Sequence, residues 1–167
     1  MYNNIKDLKR RFEEMKEHNF KYIHITLNIK SVKKEKITDA LRDISYGFNR
    51  LTKRKSFMNI SQGWFRVLEV PQNVKNTEYY PHIHCIIAVK PSYFTSRKYI
   101  NHKEWMELWQ KCMQVEYIPA VFVNTIKPEH DIDFEYINRT TETKDLRQIT
   151  YGGIFREANK KLLENEA

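Results

Sequence analysis

The sequence has little cysteine and no long hydrophobic run. Cys85 and Cys112 are the only cysteines in 167 residues, too few for a disulfide framework or a cysteine-rich zinc site, which favours a reducing cytoplasm. No apolar stretch approaches the roughly 18 residues that a membrane-spanning helix needs. The basic start, residues 1–11, does not lead into the apolar stretch of a signal peptide. We therefore expect neither membrane insertion nor a secretory leader.

Acidic residues are also outnumbered, by 29 Lys and Arg to 21 Asp and Glu, which gives a net charge of +8. Residues 1–60 hold 15 basic and 7 acidic residues, whereas residues 61–167 hold 14 of each. A basic excess favours a polyanionic partner such as nucleic acid. Hydrophobic residues make up 41% and aromatic residues 13% of the chain, which excludes a disordered tail. The length predicts a single domain over residues 1–167.

Two clusters of basic residues account for much of this excess. One follows the first predicted strand and the other follows the second predicted helix. They comprise Lys30, Lys33, Lys34 and Lys36, and then Arg50, Lys53, Arg54 and Lys55. Such clusters suit contacts with DNA phosphates, which supply affinity and salt dependence, although a solvated surface has the same composition.

Hydrophobic periodicity predicts alternating helices and strands. The predicted helices are Ile5–His18, Thr38–Leu51 and Asn101–Gln114, and the predicted strands are Tyr22–Ile29, Trp64–Val70, His82–Val89 and Val121–Ile126. Ser56–Ile60 is interpreted as a connector and Pro71–Tyr80 as a hairpin loop. In the tail, Gly152–Gly153 is interpreted as a break before a short helix. This order predicts an α+β fold of the ferredoxin type, with an antiparallel sheet and helices packed on one face.

The face of this sheet opposite the helices carries an unusual set of polar residues. His82 and His84 are two residues apart on one strand, so their side chains lie side by side and can chelate one ion. Glu69 follows from the adjacent strand. Two imidazoles and one carboxylate, with further positions open, are typical of a catalytic divalent metal site. The alternative is a partly exposed surface pair, and His24 on the first strand is interpreted as a solvated residue.

Aromatic residues flank the histidine strand on both sides. They are Tyr79 and Tyr80 before it, and Tyr93 and Phe94 after it. Aromatic side chains in this position are suited to stacking on unpaired bases, and equally to packing in a core.

Three segments together resemble a known family. They are WFRVLEV, then YYPHIHCIIAV after a polar loop, then SYFTSRKYINHKEWMELWQKCM. This combination resembles the rolling-circle replication initiators of small plasmids from Gram-positive bacteria, within the HUH endonuclease superfamily. The resemblance runs from Tyr22 to Ile126 and resumes at Leu146–Leu162.

The resemblance implies a metal-dependent reaction on DNA, with the metal site on the face of the sheet opposite the helices. His82 and His84 match the histidine motif and Glu69 the acidic position before it, so they would hold Mg²⁺ or Mn²⁺. A tyrosine would attack a phosphate of single-stranded DNA, giving a 5′-phosphotyrosine and a free 3′ hydroxyl. The implied partners are origin DNA, single-stranded or as a hairpin, and the host replication helicase or polymerase.

The chain departs from the family at the nucleophile. Family members carry a helix resembling Glu-x-x-Lys-Tyr-x-x-Lys after the last strand, and no such segment lies between Ile126 and Leu146. Tyr136 is the one tyrosine there and is the candidate nucleophile, whereas Tyr151 lies in a segment interpreted as structural. One hypothesis is therefore a site-specific single-stranded DNA endonuclease and strand transferase. Another is a catalytically inactive HUH-derived module that binds an origin or hairpin and regulates replication or transcription without cutting the DNA. An RNA-binding ferredoxin-like domain ranks last, since the Gly-Phe-x-Phe type of stacking motif is absent.

Overall fold

A computed structural model describes residues 19–73, 75–126 and 148–157, together with Lys160 and Glu164. The five strands are β1 (Lys21–Asn28), β2 (Gly63–Glu69), β3 (His82–Val89), β4 (Val121–Ile126) and β5 (Gln148–Gly153), and the helices are α1 (Ile37–Thr52), α2 (Lys55–Ile60) and α3 (His102–Met113). Two short 3₁₀ turns occupy Lys34–Lys36 and Pro91–Thr95. The predicted helix Ile5–His18 and the candidate nucleophile Tyr136 lie outside the described residues.

The strands form one antiparallel sheet in the order β4-β1-β3-β2-β5. Strands β1 to β4, with α1 and α3 as the crossovers, have the order expected of a ferredoxin-type sandwich. The predicted fold class is confirmed. Four predicted strands and two predicted helices agree with the structure to within one residue at each end.

Two local interpretations were wrong. Ser56–Ile60 is not a connector, because Lys55–Ile60 forms α2, whose Phe57 and Ile60 are buried three residues apart on one face. Gly152–Gly153 is not a break, because both residues lie in β5 and pair with β2. Gly152 sits against the indole ring of Trp64, where a Cβ atom would overlap the ring. The close approach of the two strands, rather than chain flexibility, explains that glycine.

The main core lies between the sheet and the layer formed by α1 and α3. The alternating aliphatic residues of β1 and β3 supply one side, and Phe48, Trp105 and Trp109 are fully buried on the other. A capping box fixes the start of α3, since the Asn101 side chain accepts from the Glu104 N–H and the Glu104 side chain accepts from the Asn101 N–H, both at 2.8 Å. On β1, Ile23, Ile25 and Leu27 pack in this core, and the residues between them lie on the opposite face.

A second, smaller hydrophobic cluster covers part of the opposite face of the sheet. It is built by Tyr22, Phe65, Val67, Ile86, Ala88, Ile149 and Phe155. The rings of Phe65 and Phe155 meet edge to face with centroids 5.2 Å apart. This face is therefore divided between an apolar region and a polar region, and the histidines and Glu69 lie in the polar region.

Candidate metal centre

Glu69, His82 and His84 converge at one end of the sheet, as the sequence predicts. The register places Glu69 of β2 directly opposite His82 of β3. One Glu69 carboxylate oxygen, Oε2, lies 3.2 Å from Nε2 of His82 and 3.4 Å from Nε2 of His84. The two Nε2 atoms are 3.2 Å from each other. Among the described residues this is the one group of three or more such side chains whose ligand atoms lie close enough to share an ion.

These separations fit a small divalent cation. Metal bonds of about 2.0–2.2 Å to nitrogen and oxygen place neighbouring ligand atoms about 3.0–3.5 Å apart in tetrahedral or octahedral geometry. The three distances between the ligand atoms of Glu69, His82 and His84, 3.2–3.4 Å, all fall in this range. Two imidazoles and one carboxylate leave several coordination positions for water and substrate oxygens, as a catalytic site requires.

The ring of His82 is oriented by a backbone contact. Its Nδ1 atom lies 2.9 Å from the carbonyl oxygen of Tyr80, which can only accept a hydrogen bond, so Nδ1 carries the hydrogen. In the neutral ring, Nε2 then presents a lone pair towards Glu69 and His84. Converging lone pairs repel one another unless a proton or a metal ion lies between them, so this tautomer favours cation binding.

The ring of His84 is oriented by β1. Its Nδ1 atom lies 3.0 Å from Nε2 of His24 and 3.4 Å from Oγ1 of Thr26. These contacts leave Nε2 of His84 facing Glu69 and His82. Burial, and then the charge of His84, lower the pKa of His24 to about 4, so His24 is neutral at pH 7. The interpretation of His24 as a solvated residue was wrong, because its ring is partly buried against His84. The available signal was its place on the polar face of β1, which a ferredoxin-type strand order puts beside β3.

Glu69 is fully buried and nevertheless remains charged. Burial alone would raise its pKa, but when the rings of His82 and His84 are protonated, their hydrogen bonds and positive charge outweigh this and hold the pKa at about 2. The carboxylate is therefore available as a ligand throughout the neutral pH range. His84 is 5% exposed, so the site sits in the sheet and is reached mainly from the side of His82.

The two basic clusters occupy different layers. Lys30 and Lys33 to Lys36 follow β1 at the end where Asn28 pairs with His82. A backbone bridge between Val32 and Tyr79 ties this segment to the loop that leads into β3. The second cluster, Lys53 to Lys55, follows α1 in the helical layer. Lys53, Arg54 and Lys55 are exposed, as are all members of the first cluster, whereas Arg50 is partly buried and its Nε–H donates to the Cys112 carbonyl oxygen. Only the first cluster lies at the metal end of the sheet.

The aromatic residues flanking β3 have mixed environments. Tyr93 is 4% exposed and packs in the main core, where its hydroxyl accepts a hydrogen bond from the Ile100 N–H at 3.2 Å. Of the two interpretations, core packing is therefore the one that holds for Tyr93. Phe94 packs against the same core, and Tyr79 and Tyr80 are partly buried. Sequence reasoning did not single out Phe122, which is 59% exposed in β4.

In the part of the chain that the structure describes, no helix is both long and apolar enough to cross a membrane.

Comparison with known proteins connects this geometry to a family. A family model described as "Replication protein" matches residues 2–143. The chain is 30% identical to "Replication protein" of Staphylococcus aureus, covering 85% of this chain and 74% of that protein. It is 33% identical to "Protein rep" of Lactiplantibacillus plantarum (85% and 55%) and 31% identical to "Protein rep" of a Bacillus species (81% and 44%). No solved structure matches.

The alignments also show how this chain differs in length from its relatives. The alignment with the S. aureus protein has 173 positions, more than the 167 residues of this chain. The relative therefore carries residues inside the matched region that this chain lacks. The chain also spans only about half the length of several of the relatives, including 44% of the Bacillus protein. From the match over residues 2–143 and from these relatives, the chain belongs to the replication protein family.

Proposed function

We propose that this chain is a replication initiator that binds single-stranded origin DNA over the Glu69–His82–His84 site and cuts and rejoins one phosphodiester. The observation that carries the proposal is the convergence of three ligand atoms within 4.8 Å in a chain of the replication protein family. Mg²⁺ or Mn²⁺ is the proposed ion, since both accept a carboxylate and several open oxygen positions. Bound there, the ion would polarise the scissile phosphate and stabilise the leaving 3′ oxygen.

The surrounding residues divide the remaining work. Tyr80 and His24 hold the two histidine rings with their Nε2 atoms directed at Glu69. Lys30 and the lysines that follow it lie at the same end of the sheet and are proposed to contact the DNA backbone on either side of the site. Such contacts position the strand without reading its sequence. The second cluster, Lys53, Arg54 and Lys55, is proposed to contact DNA that leaves across the helical layer.

Tyr136 is the proposed nucleophile. Its hydroxyl oxygen, after losing its proton, attacks phosphorus, and the bond from phosphorus to the 3′ oxygen breaks. The products are a 5′-phosphotyrosine and a free 3′ hydroxyl, which a host polymerase can extend. Tyr151 is less suited, because it lies in β5 opposite Phe65 and packs against the second hydrophobic cluster.

The test is a covalent-adduct assay. Oligonucleotides labelled at the 3′ end and tiling both strands of the replicon that encodes the chain are incubated with protein and Mn²⁺. The tyrosine stays on the 5′ phosphate of the downstream fragment, so the 3′ label remains with the protein on a denaturing gel. We expect one oligonucleotide to give an EDTA-sensitive adduct that His82→Ala and His84→Ala abolish.

The nucleophile is tested with matched phenylalanine variants. We expect Tyr136→Phe to abolish the adduct and Tyr151→Phe to retain it. An adduct that persists in Tyr136→Phe excludes that residue as the nucleophile but not the enzyme, and mass spectrometry of the adduct peptide then identifies the tyrosine used. If calorimetry shows no binding of Mn²⁺ to the wild-type chain, the enzymatic proposal is overturned.

A second candidate function is supported by the missing family segment. The relatives carry residues within the matched region that this chain lacks, and the chain has no segment resembling the family's tyrosine helix. An origin- or hairpin-binding module that regulates replication without cutting has these properties. It predicts salt-sensitive binding of one tiled oligonucleotide, without adduct or cleavage under Mg²⁺ or Mn²⁺.

A further inference from the structure

One exposed aromatic side chain lies on the sheet itself. The described residues include five large hydrophobic side chains that are exposed, and Phe122 is the one among them that belongs to a strand. Its neighbours in β4, Val121 and Val123, face the other way and pack with the main core. Phe122 therefore projects from the polar region of the sheet, on the face that carries the candidate metal centre.

The strand register fixes the distance between Phe122 and that centre. Phe122 lies directly opposite Thr26 of β1, and Thr26 lies directly opposite His84 of β3. The hydroxyl of Thr26 is 3.4 Å from Nδ1 of His84, which shows that this row of side chains shares one face. Two strand spacings separate Phe122 from His84, or about 10 Å. A nucleobase attached beside a phosphate at the metal centre can reach across this distance.

Polar residues lie beside Phe122 on this face, and a basic residue follows β1 at the metal end of the sheet. Asn124, exposed on the same face, pairs in register with His24. At the metal end of β4, the ammonium group of Lys30 lies 4.4 Å from the centre of the Tyr117 ring, and the Lys30 N–H donates to the Tyr117 hydroxyl at 3.2 Å. An aromatic face, a side-chain amide and a held ammonium group match the three parts of a nucleotide: the base plane, the base edge and the phosphate.

We infer that Phe122 is a stacking platform for an unpaired nucleobase, with Asn124 beside it to bond the base edge and Lys30 to contact the backbone. The inference rests on the proposed function, because it assumes single-stranded DNA at the Glu69–His82–His84 site. The occupant is a nucleobase rather than an apolar protein segment, since Thr26 and Asn124 beside Phe122 are polar and the lysines that follow β1 are basic. Stacking tolerates any base, so Phe122 contributes affinity with little sequence preference.

The test measures binding without metal, so that cleavage does not interfere. Fluorescence anisotropy with EDTA compares a labelled 20-nucleotide mixed-sequence single strand with an abasic strand of equal length. We expect Phe122→Ala to weaken binding of the normal strand about tenfold and leave the abasic strand unchanged, since the substitution removes one base-stacking contact. Phe122→Trp keeps an aromatic ring at this position and is expected to bind the normal strand as wild type does. Tyr46→Ala is the matched control, because Tyr46 is 55% exposed on α1 in the helical layer, and it leaves both strands unchanged.

The outcomes separate this inference from the proposed function. Equal weakening for the normal and abasic strands, or no weakening for either, overturns the stacking platform. If Phe122→Ala spares DNA binding but changes the sedimentation of the chain, Phe122 is instead a self-association contact and the inference is also overturned. Calorimetry with Mn²⁺ on the same variant is expected to match wild type. If Phe122→Ala weakens both strands equally, or neither, while wild type still binds Mn²⁺, the result counts against Phe122 alone and not against the proposed metal site.

Discussion

The Nε2 atom of His24 lies 3.0 Å from the Nδ1 atom of His84, although 60 positions separate the two residues in the chain. The contact places a neutral, partly buried histidine directly behind a proposed metal ligand. In metalloproteins the second nitrogen of a ligating histidine is commonly held by such a partner, which fixes the ring and its tautomer. We therefore infer that His24 positions His84 for the candidate metal centre.

Removal of His24 is expected to weaken metal binding without removing a ligand. We expect His24→Leu to reduce Mn²⁺ affinity by about 10–100-fold, the range found for outer partners of metal ligands. His24→Gln, which can still accept a hydrogen bond from His84, is expected to lose less. Isothermal titration calorimetry gives both values. His102→Gln serves as the histidine control, because His102 contacts the Val121 carbonyl oxygen outside the site. Equal affinity in His24→Leu and wild type would contradict the positioning role.

His24 also makes the stability of the metal-free chain depend on pH. The pKa of His24 is about 4 in the folded chain, whereas the ordinary value for a histidine, which applies to the unfolded chain, is 6.5. Between these values the unfolded chain binds a proton that the folded chain excludes, so stability is full above about pH 6.5 and falls towards pH 4. We expect wild type to lose about 2 kcal/mol more than His24→Gln between about pH 7 and pH 5, measured by urea unfolding in EDTA. Parallel pH profiles for the two chains would show that His24 is not the group responsible.

Glu69 is expected to contribute most of the charge that holds the ion. Glu69→Gln keeps the side-chain volume but removes the negative charge, and it leaves a neutral amide between two histidines. We expect Mn²⁺ affinity to fall by more than the roughly 10–100-fold of an outer partner. Glu107→Gln on the exposed surface of α3 is the matched control and is expected to bind Mn²⁺ as wild type does. Binding that survives Glu69→Gln with unchanged affinity would remove Glu69 from the ligand set.

Arg66 is expected to affect stability through packing rather than through its charge. The side chain is 5% exposed, its guanidinium lies 4.7 Å from the centre of the Phe48 ring, and its Nε–H donates to the Thr150 hydroxyl at 2.7 Å. Burial lowers its pKa. We expect Arg66→Ala to cost about 2–4 kcal/mol because it leaves a cavity between β2 and α1. Arg66→Met, which fills most of that space, is expected to cost less than about 1.5 kcal/mol.

Denaturant unfolding of the two Arg66 variants tests this prediction. If Arg66→Met is as destabilising as Arg66→Ala, the hydrogen bond to Thr150 and the charge matter more than the filled volume.

Local periodicity was sufficient to predict the helices and strands that bury one face. The alternation in β1 and β3 and the three-to-four spacing in α1 and α3 depend on side chains within a few positions of one another, so their bounds could be predicted. The short helix Lys55–Ile60 offers too few turns for such a pattern. The strand Gln148–Gly153 ends in two glycines, and only its pairing with β2 makes it a strand.

The sequence by itself determined that His82 and His84 share a face and that Glu69 lies near them, because a strand alternates its side chains and a hairpin joins β2 to β3. Only the tertiary structure decided which residues lie beside His84 on the side of β3 away from β2. The placement of β1 between β3 and β4 brings His24 against His84 and puts Phe122 two strands from the candidate metal centre. Those neighbours arise from pairing between segments far apart in the chain, and the period of a single strand does not specify its partner.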